Sequence, residues 1–118
     1  MPSEQGTSPQ ETIQQQVQNL SSDRAYKEAA LLRVWRGIEE YLRELAQSDY
    51  GGVVPISAFE GRRLAMIRNW AKIFWSEIES VRLARNSVAL VSELSDANLD
   101  TAVELGERLL EIIDSHLK

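Results

Sequence analysis

Apolar residues recur at three- and four-residue intervals along most of this chain, the spacing of one face of an α-helix. Asp23 is placed to cap such a helix, and the Gly51-Gly52 pair with Pro55 marks a loop after it. The pattern therefore predicts a long amphipathic helix between them. Its predicted buried face consists of Leu31, Val34, Trp35, Ile38, Tyr41, Leu42 and Leu45.

A second periodic segment begins after Ser57, which precedes Glu60 by three residues as in a capping box. No proline follows, so one long helix is predicted from about residue 58 to about residue 90. The pattern leaves room for a kink near Asn69. The predicted buried face consists of Phe59, Leu64, Ile67, Trp70, Phe74, Ile78, Val81 and Val88.

The last helix is predicted to begin after Ser95, a good N-cap residue, with Leu94 and Leu99 spaced as a hydrophobic staple. Gly106 lies on its apolar face, where it either allows another helix to approach closely or is merely tolerated. The apolar face consists of Leu99, Ala102, Val103, Gly106, Leu109, Leu110, Ile113 and Leu117.

The first 22 residues are rich in Gln, Ser and Glu, with Ile13, Val17 and Leu20 at helical spacing. Such a segment is typical of a polar tail with a short helix that is unstable alone; it could also dock on a partner. Residues 23–118 are predicted to form one domain. The predicted fold is all-α, an antiparallel four-helix bundle of three long helices and a short N-terminal one.

Composition removes several classes of function. The chain has 118 residues, a formal net charge of −5, no cysteine and one histidine, His116. Bulk coating of nucleic acid, thiol chemistry and a histidine-rich metal site are therefore excluded. No cofactor motif is found, and no stretch has the apolar length of a membrane span. The N-terminus lacks the features of a signal peptide, which predicts a cytoplasmic protein.

Arg85 is the one charged residue on the buried face of the predicted third helix, in line with Ile67, Phe74 and Ile78. A charge in that position is costly unless it is paired. Four interpretations are open: an ion pair with Glu28 or Glu39, a bond to backbone carbonyls at a helix end, a clamp for phosphate or RNA, or a contact in a dimer interface.

The segment VRLARNSVAL, followed by a polar loop and LSDANLDTAVELGERLLEIID, resembles the HEPN superfamily of small helical domains. The family signature is RN-x-x-x-H. Arg85 and Asn86 match it, Ala89 matches the small residue frequent before the histidine, and Leu90 stands where the histidine belongs. The resemblance covers roughly residues 24–117, although only a handful of them are specific.

The resemblance implies a homodimer formed through the motif helices, and in active members an RNA cleavage that uses no metal. The family arginine would hold the scissile phosphate, as a guanidinium does well, and the histidine would transfer protons. Because Leu90 has no titratable proton, the expected protein is non-catalytic. It would be an RNA-associated or partner-binding component of a prokaryotic defence or toxin–antitoxin-type system.

Two other functions remain open: a metal-independent endoribonuclease that uses Arg85, and a structural adaptor with no nucleic-acid role. A helical partner for a nucleotidyltransferase is a further alternative. Arg82 and Arg85 are the predicted RNA or phosphate contacts, and Arg85 with Asn86 is the catalytic candidate. Trp75, Val88 and Leu90 are the predicted interface residues. The other cations of this helix form either a phosphate-facing strip or a solvated face: Arg62, Arg63, Arg68 and Lys72.

Overall fold

The structure, a computed structural model, describes residues 9–50, 57–89 and 94–118, with side chains for 23–48, 57–89 and 94–118. Within these ranges it consists of helices: α1 Pro9–Tyr50, α2 Ala58–Ile73, α3 Trp75–Ala89 and α4 Asp96–Leu117. The predicted all-α bundle is confirmed. Residues 51–56 and 90–93, which include Leu90, lie outside the described part.

The helix boundaries differ from the prediction at the N-terminus. α1 runs unbroken through Asp23, so the expected short helix and the first long helix are one helix of 42 residues. The helix begins at Pro9, and proline is tolerated at the first position of a helix. No further proline or glycine occurs before Gly37, which itself lies inside the helix. A residue that can cap a helix does not stop one, and Asp23 lies inside α1.

The predicted third helix is instead two helices, with the break at Phe74 rather than near Asn69. Phe74 has φ −106° and ψ 21°, outside the helical region. Its N–H still donates to Trp70 O at 3.0 Å, and Ile78 N–H donates to Phe74 O at 2.9 Å. The two helices therefore form one bent rod, residues 58–89, called here the α2–α3 rod.

Cross-helix contacts set the direction of each element. Arg24 contacts Asp96, Lys27 contacts Asp100 and Tyr41 contacts Asp114, at sequence separations of 72 or 73. A constant separation means that α1 and α4 are parallel and in fixed register. The α2–α3 rod runs the other way between them, because Arg63 contacts Glu44 and Trp70 contacts Leu109. Consecutive rods are thus antiparallel, as predicted.

The core follows the predicted faces of α1 and α4 closely. Leu31, Ile38, Leu99 and Ile113 have no exposed surface. Phe59 is an exception, since it was assigned to the buried face and is 64% exposed. It lies in the first turn of α2, where it borders a cavity with Gln47 and Ser48 of α1. The other fully or nearly fully buried large side chains are Ile67, Ile78, Val81 and Leu109.

Gly106 is a point of close helix approach, one of the two interpretations left open for it. A Cβ atom at this position would lie 2.0 Å from Cγ1 of Val34, far inside van der Waals contact. Three residues further along α1, a Cβ atom on Gly37 would lie 3.0 Å from Cδ1 of Leu110. Each glycine therefore receives a side chain of the other helix, which holds α1 and α4 together.

Two of the three predicted N-caps, Ser57 and Ser95, are confirmed, whereas Asp23 lies inside α1. Ser57 Oγ accepts a hydrogen bond from the Glu60 N–H at 3.2 Å, and Ser95 Oγ accepts one from the Asn98 N–H at 3.1 Å. Each hydroxyl satisfies one of the backbone donors left free at the start of a helix. The sequence signals for the starts of α2 and α4 were therefore local and sufficient.

Candidate functional site

Arg85 lies on α3, one turn beyond the fully buried Val81, and its side chain is half-buried. Its Nε atom is shut off from solvent and has no hydrogen-bond partner in the described part of the chain. Its Nη1 donates only a long bond, 3.4 Å, to Oδ1 of Asn86. Arg85 is thus half-buried rather than in the core, and its Nε donor is unsatisfied.

The ion pairs suggested for Arg85 are not found. Glu28 instead accepts a hydrogen bond from Arg24 Nε at 2.9 Å, and Glu39 lies 3.6 Å from the guanidinium of Arg43. Both acids are used within α1, one helical turn from a cation on their own helix, a pairing that needs no tertiary contact.

Arg82 is held by Glu79. Its Nε and Nη2 donate to the two carboxylate oxygens at 2.8 and 2.9 Å. This bidentate pair raises the pKa of Arg82 and lowers the pKa of Glu79. A phosphate at Arg82 would have to compete with that carboxylate. Of the two predicted phosphate contacts, Arg82 is therefore paired with an acid and Arg85 is half-buried.

The predicted interface residues differ in exposure. Trp75 is 52% exposed at the start of α3, which leaves it accessible to a partner. Val88 is half-buried and packs against the core of its own chain. Leu90 lies outside the described residues. The homodimer remains a prediction.

His116 lies at the opposite end of the bundle from Arg85. It borders a groove with Met66 of α2, whereas Ser87, two residues after Arg85, borders a groove with Asn98 of α4. Asn98 and His116 are 18 residues apart on one helix, about 27 Å at the α-helical rise. His116 is therefore too far from Arg85 to take the role of the family histidine, whose position is occupied here by Leu90.

A polar cluster joins three helices. Tyr41 of α1 donates to Asp114 of α4 at 2.5 Å, and Arg63 of α2 donates to Glu44 of α1 at 2.8 Å while lying over the Tyr41 ring. Burial and the bond to Asp114 raise the pKa of Tyr41 to about 12. Trp70 adds an edge-on contact to Tyr41 and a 3.0 Å bond from its Nε1 to Leu109 O. These side chains are bonded to one another or to the backbone, and they connect the three helices.

An apolar groove of about 250 Å³ between α2 and α4 was missed by the sequence analysis. Met66 and Ile73 stand at its edge, 42% and 70% exposed. A signal was present: Phe59, Met66 and Ile73 are spaced by seven residues, which places them on one flank of a helix. The groove is lined by Met66, Trp70, Ile73, Phe74, Ile112 and His116.

Among the described residues, no group of three or more His, Cys, Asp or Glu side chains is arranged to hold a metal ion. The described helices include none that is long and apolar enough to cross a membrane. The cations of α2 and α3 do not form one strip, because Arg63 and Arg82 are bound to acids.

Comparison with protein-family models, with curated proteins and with solved structures finds no match to this chain. The HEPN resemblance therefore stays a prediction that rests on the residues quoted for it.

Proposed function

We propose that this chain is a non-catalytic helical module of HEPN type whose role is to bind a partner protein. Its placement in a prokaryotic defence or toxin–antitoxin-type system rests on the sequence resemblance alone. The homodimer expected from that resemblance would use α3, where Trp75 is exposed.

The observation that carries the proposal is the distribution of exposed apolar side chains. The described part of the chain has seven large ones, and five lie on the α2–α3 rod. Isolated exposed apolar residues are ordinary, but three of these five, spaced by seven residues, share one flank of α2, and such a series is typical of an interaction surface. The five are Phe59, Met66, Ile73, Trp75 and Leu83.

A protein partner is favoured over RNA by the state of the two candidate arginines. RNA binding needs cations that are free to meet phosphates. Arg82 is bound to Glu79, and the Nε of Arg85 is turned away from solvent. The net charge of −5 adds no general attraction for a polyanion.

One observation favours the second candidate, a ribonuclease that uses Arg85. A buried nitrogen without a partner is unusual in a native protein and calls for an explanation. An RNA phosphate could supply the missing acceptor if the end of α3 opened. This alternative is therefore tested together with the main proposal.

The test is incubation of the purified chain with a pool of small RNAs and a metal chelator, followed by gel electrophoresis. Wild type, Arg85→Ala and Leu90→His are run side by side, after circular dichroism has shown that each is folded. We expect no cleavage by wild type. Cleavage by wild type that Arg85→Ala abolishes would overturn the non-catalytic assignment.

Cleavage by Leu90→His alone would support a HEPN-type cleft that has lost its histidine. Absence of RNA cleavage by all three proteins would support a binding role without nuclease chemistry. A gel-shift titration of the same RNA separates the partners: tight binding that Arg82→Ala or Arg85→Ala removes would overturn the preference for a protein.

A further inference from the structure

The groove between α2 and α4 has the form of a helix-binding site. The buried ring of Trp70 and the half-buried ring of Phe74 line it, and the more exposed Met66 and Ile73 stand at its edge. Along α2 the groove extends from Met66 to Phe74, a rise of eight residues or about 12 Å. That length accommodates about two turns of a docked helix, with apolar anchors at i, i+3 or i+4, and i+7.

The edges of the groove carry positive charge. Arg62 lies one turn before Met66 on α2, and Arg108 lies one turn before Ile112 on α4, each on the flank that borders the groove. Both side chains are exposed, and neither forms an ion pair with another described residue. α2 as a whole has four cations and one acid in a chain of net charge −5.

Five of the six acids of α4 lie toward α1. Asp96 and Asp100 pair with Arg24 and Lys27, and Glu107, Glu111 and Asp114 border a separate cavity with Arg33. Toward α2 the helix presents an apolar surface with Arg108, and Glu104, one turn before Arg108, is the acid on that flank. An acidic partner would meet complementary charge at this groove, and a basic partner would meet repulsion.

A second copy of the chain is a poorer occupant. In a two-fold dimer the same face meets itself. Arg62 and Arg108 of both protomers would then lie in one interface, so four exposed cations would be collected at its rim.

We propose that the groove between α2 and α4 binds an amphipathic helix of a partner protein, with apolar anchors against Met66, Ile73 and Ile112 and acidic residues facing Arg62 and Arg108. This inference rests on the proposed function and names the chemistry of its partner.

The experiment uses two synthetic 18-residue helices with leucines at i, i+3, i+4 and i+7, one with glutamates at the flanking positions and one with lysines. The chain has two methionines, Met1 and Met66. Methyl-labelled methionine therefore gives one NMR signal in the groove and one internal reference. Fluorescence anisotropy of the labelled peptides gives the affinities.

We expect the glutamate helix to bind, to shift the Met66 methyl signal and to leave the Met1 signal in place. Ile73→Asp should weaken binding at least tenfold, and Arg62→Glu should weaken it and reduce its dependence on salt. Matched controls are Tyr26→Asp, equally exposed on α1, and Arg36→Glu, exposed on α1; both should bind as wild type does.

Equal or tighter binding of the lysine helix, or no effect of Ile73→Asp, would overturn the inference. So would a dimer in sedimentation velocity that Ile73→Asp dissociates, because a second copy would then occupy the groove. A negative result in the peptide-binding experiment would not change the interpretation of the RNA experiment. RNA cleavage by wild type would overturn the proposed function even if the glutamate helix bound.

Discussion

The contact between α1 and α4 and the surface of the α2–α3 rod show opposite ways of treating apolar side chains. Val34 of α1 fits over Gly106 of α4 so closely that a single added carbon would collide with it. Ile73 on the rod leaves 70% of its surface exposed. Among the described residues α4 has no large exposed apolar side chain, α1 has two and the rod has five. The contact between α1 and α4 is closely packed, whereas the rod leaves much of its apolar surface exposed.

The largest contrast is expected inside the rod itself, between Ile78 and Ile73. Ile78→Ala should lower the free energy of unfolding by about 2–5 kcal/mol, because it empties a fully buried site. Ile73→Ala should change it by less than about 0.5 kcal/mol, as surface substitutions usually do. Urea unfolding of both variants measures the difference. Equal losses would mean that Ile73 is covered by the chain's own fold.

The next largest effect concerns the α1–α4 contact. Gly106→Ala should destabilise the fold by about 1–3 kcal/mol, because the stiff, buried Val34 cannot move aside easily. Gly61→Ala is the matched control: a Cβ atom there meets nothing within 4 Å, so stability should rise by about 0.5–1 kcal/mol. Adding Val34→Ala to Gly106→Ala should recover part of the loss. Similar values for the two glycines would show that the helices are further apart than described.

A pH effect should follow from the polar cluster. The neutral phenol of Tyr41 is favoured in the folded state, with its pKa raised to about 12 from 10.0. Its contribution to stability is therefore complete below pH 10 and is lost as pH rises toward 12. Urea unfolding at several pH values should show this loss in wild type and less of it in Tyr41→Phe, with Tyr26→Phe as control. Parallel curves for wild type and Tyr41→Phe would contradict the assignment.

The smallest effect is expected at Arg85. Arg85→Met keeps an apolar chain of similar length and removes the unsatisfied Nε. A buried donor without a partner costs about 1–3 kcal/mol, so stability should stay constant or rise by up to about 1 kcal/mol in thermal or urea unfolding. Arg85→Ala, which also removes packing, is the comparison. A clear loss in Arg85→Met would mean that the guanidinium has a partner.

Much of the fold could be predicted because its signals are local. The N-caps at Ser57 and Ser95, the end of α1 near the Gly51-Gly52 pair and the buried faces of α1 and α4 follow from residues within one or two turns of each other. Helical periodicity alone also aligns Arg85 with the buried Ile78 on α3, although Arg85 itself is only half-buried.

The candidate site was less predictable, because its residues come from different helices. The bonds of Arg63 to Glu44 and of Tyr41 to Asp114 depend on which helix is the neighbour and in which register. An ion pair of Arg85 with Glu28 or Glu39 was one of four open interpretations, yet both acids pair with cations one turn away on α1. Sequence spacing gives no information about that competition.

The sequence by itself determined that the chain is helical, where α2 and α4 begin and which flank of each helix is apolar, because each depends on neighbours within a few residues. Only the tertiary structure decided that α1 and α4 are parallel, that the rod bends at Phe74, and that Phe59, Met66 and Ile73 remain uncovered. An apolar flank is buried only where another helix reaches it, and the lengths and register of the packed helices set that limit.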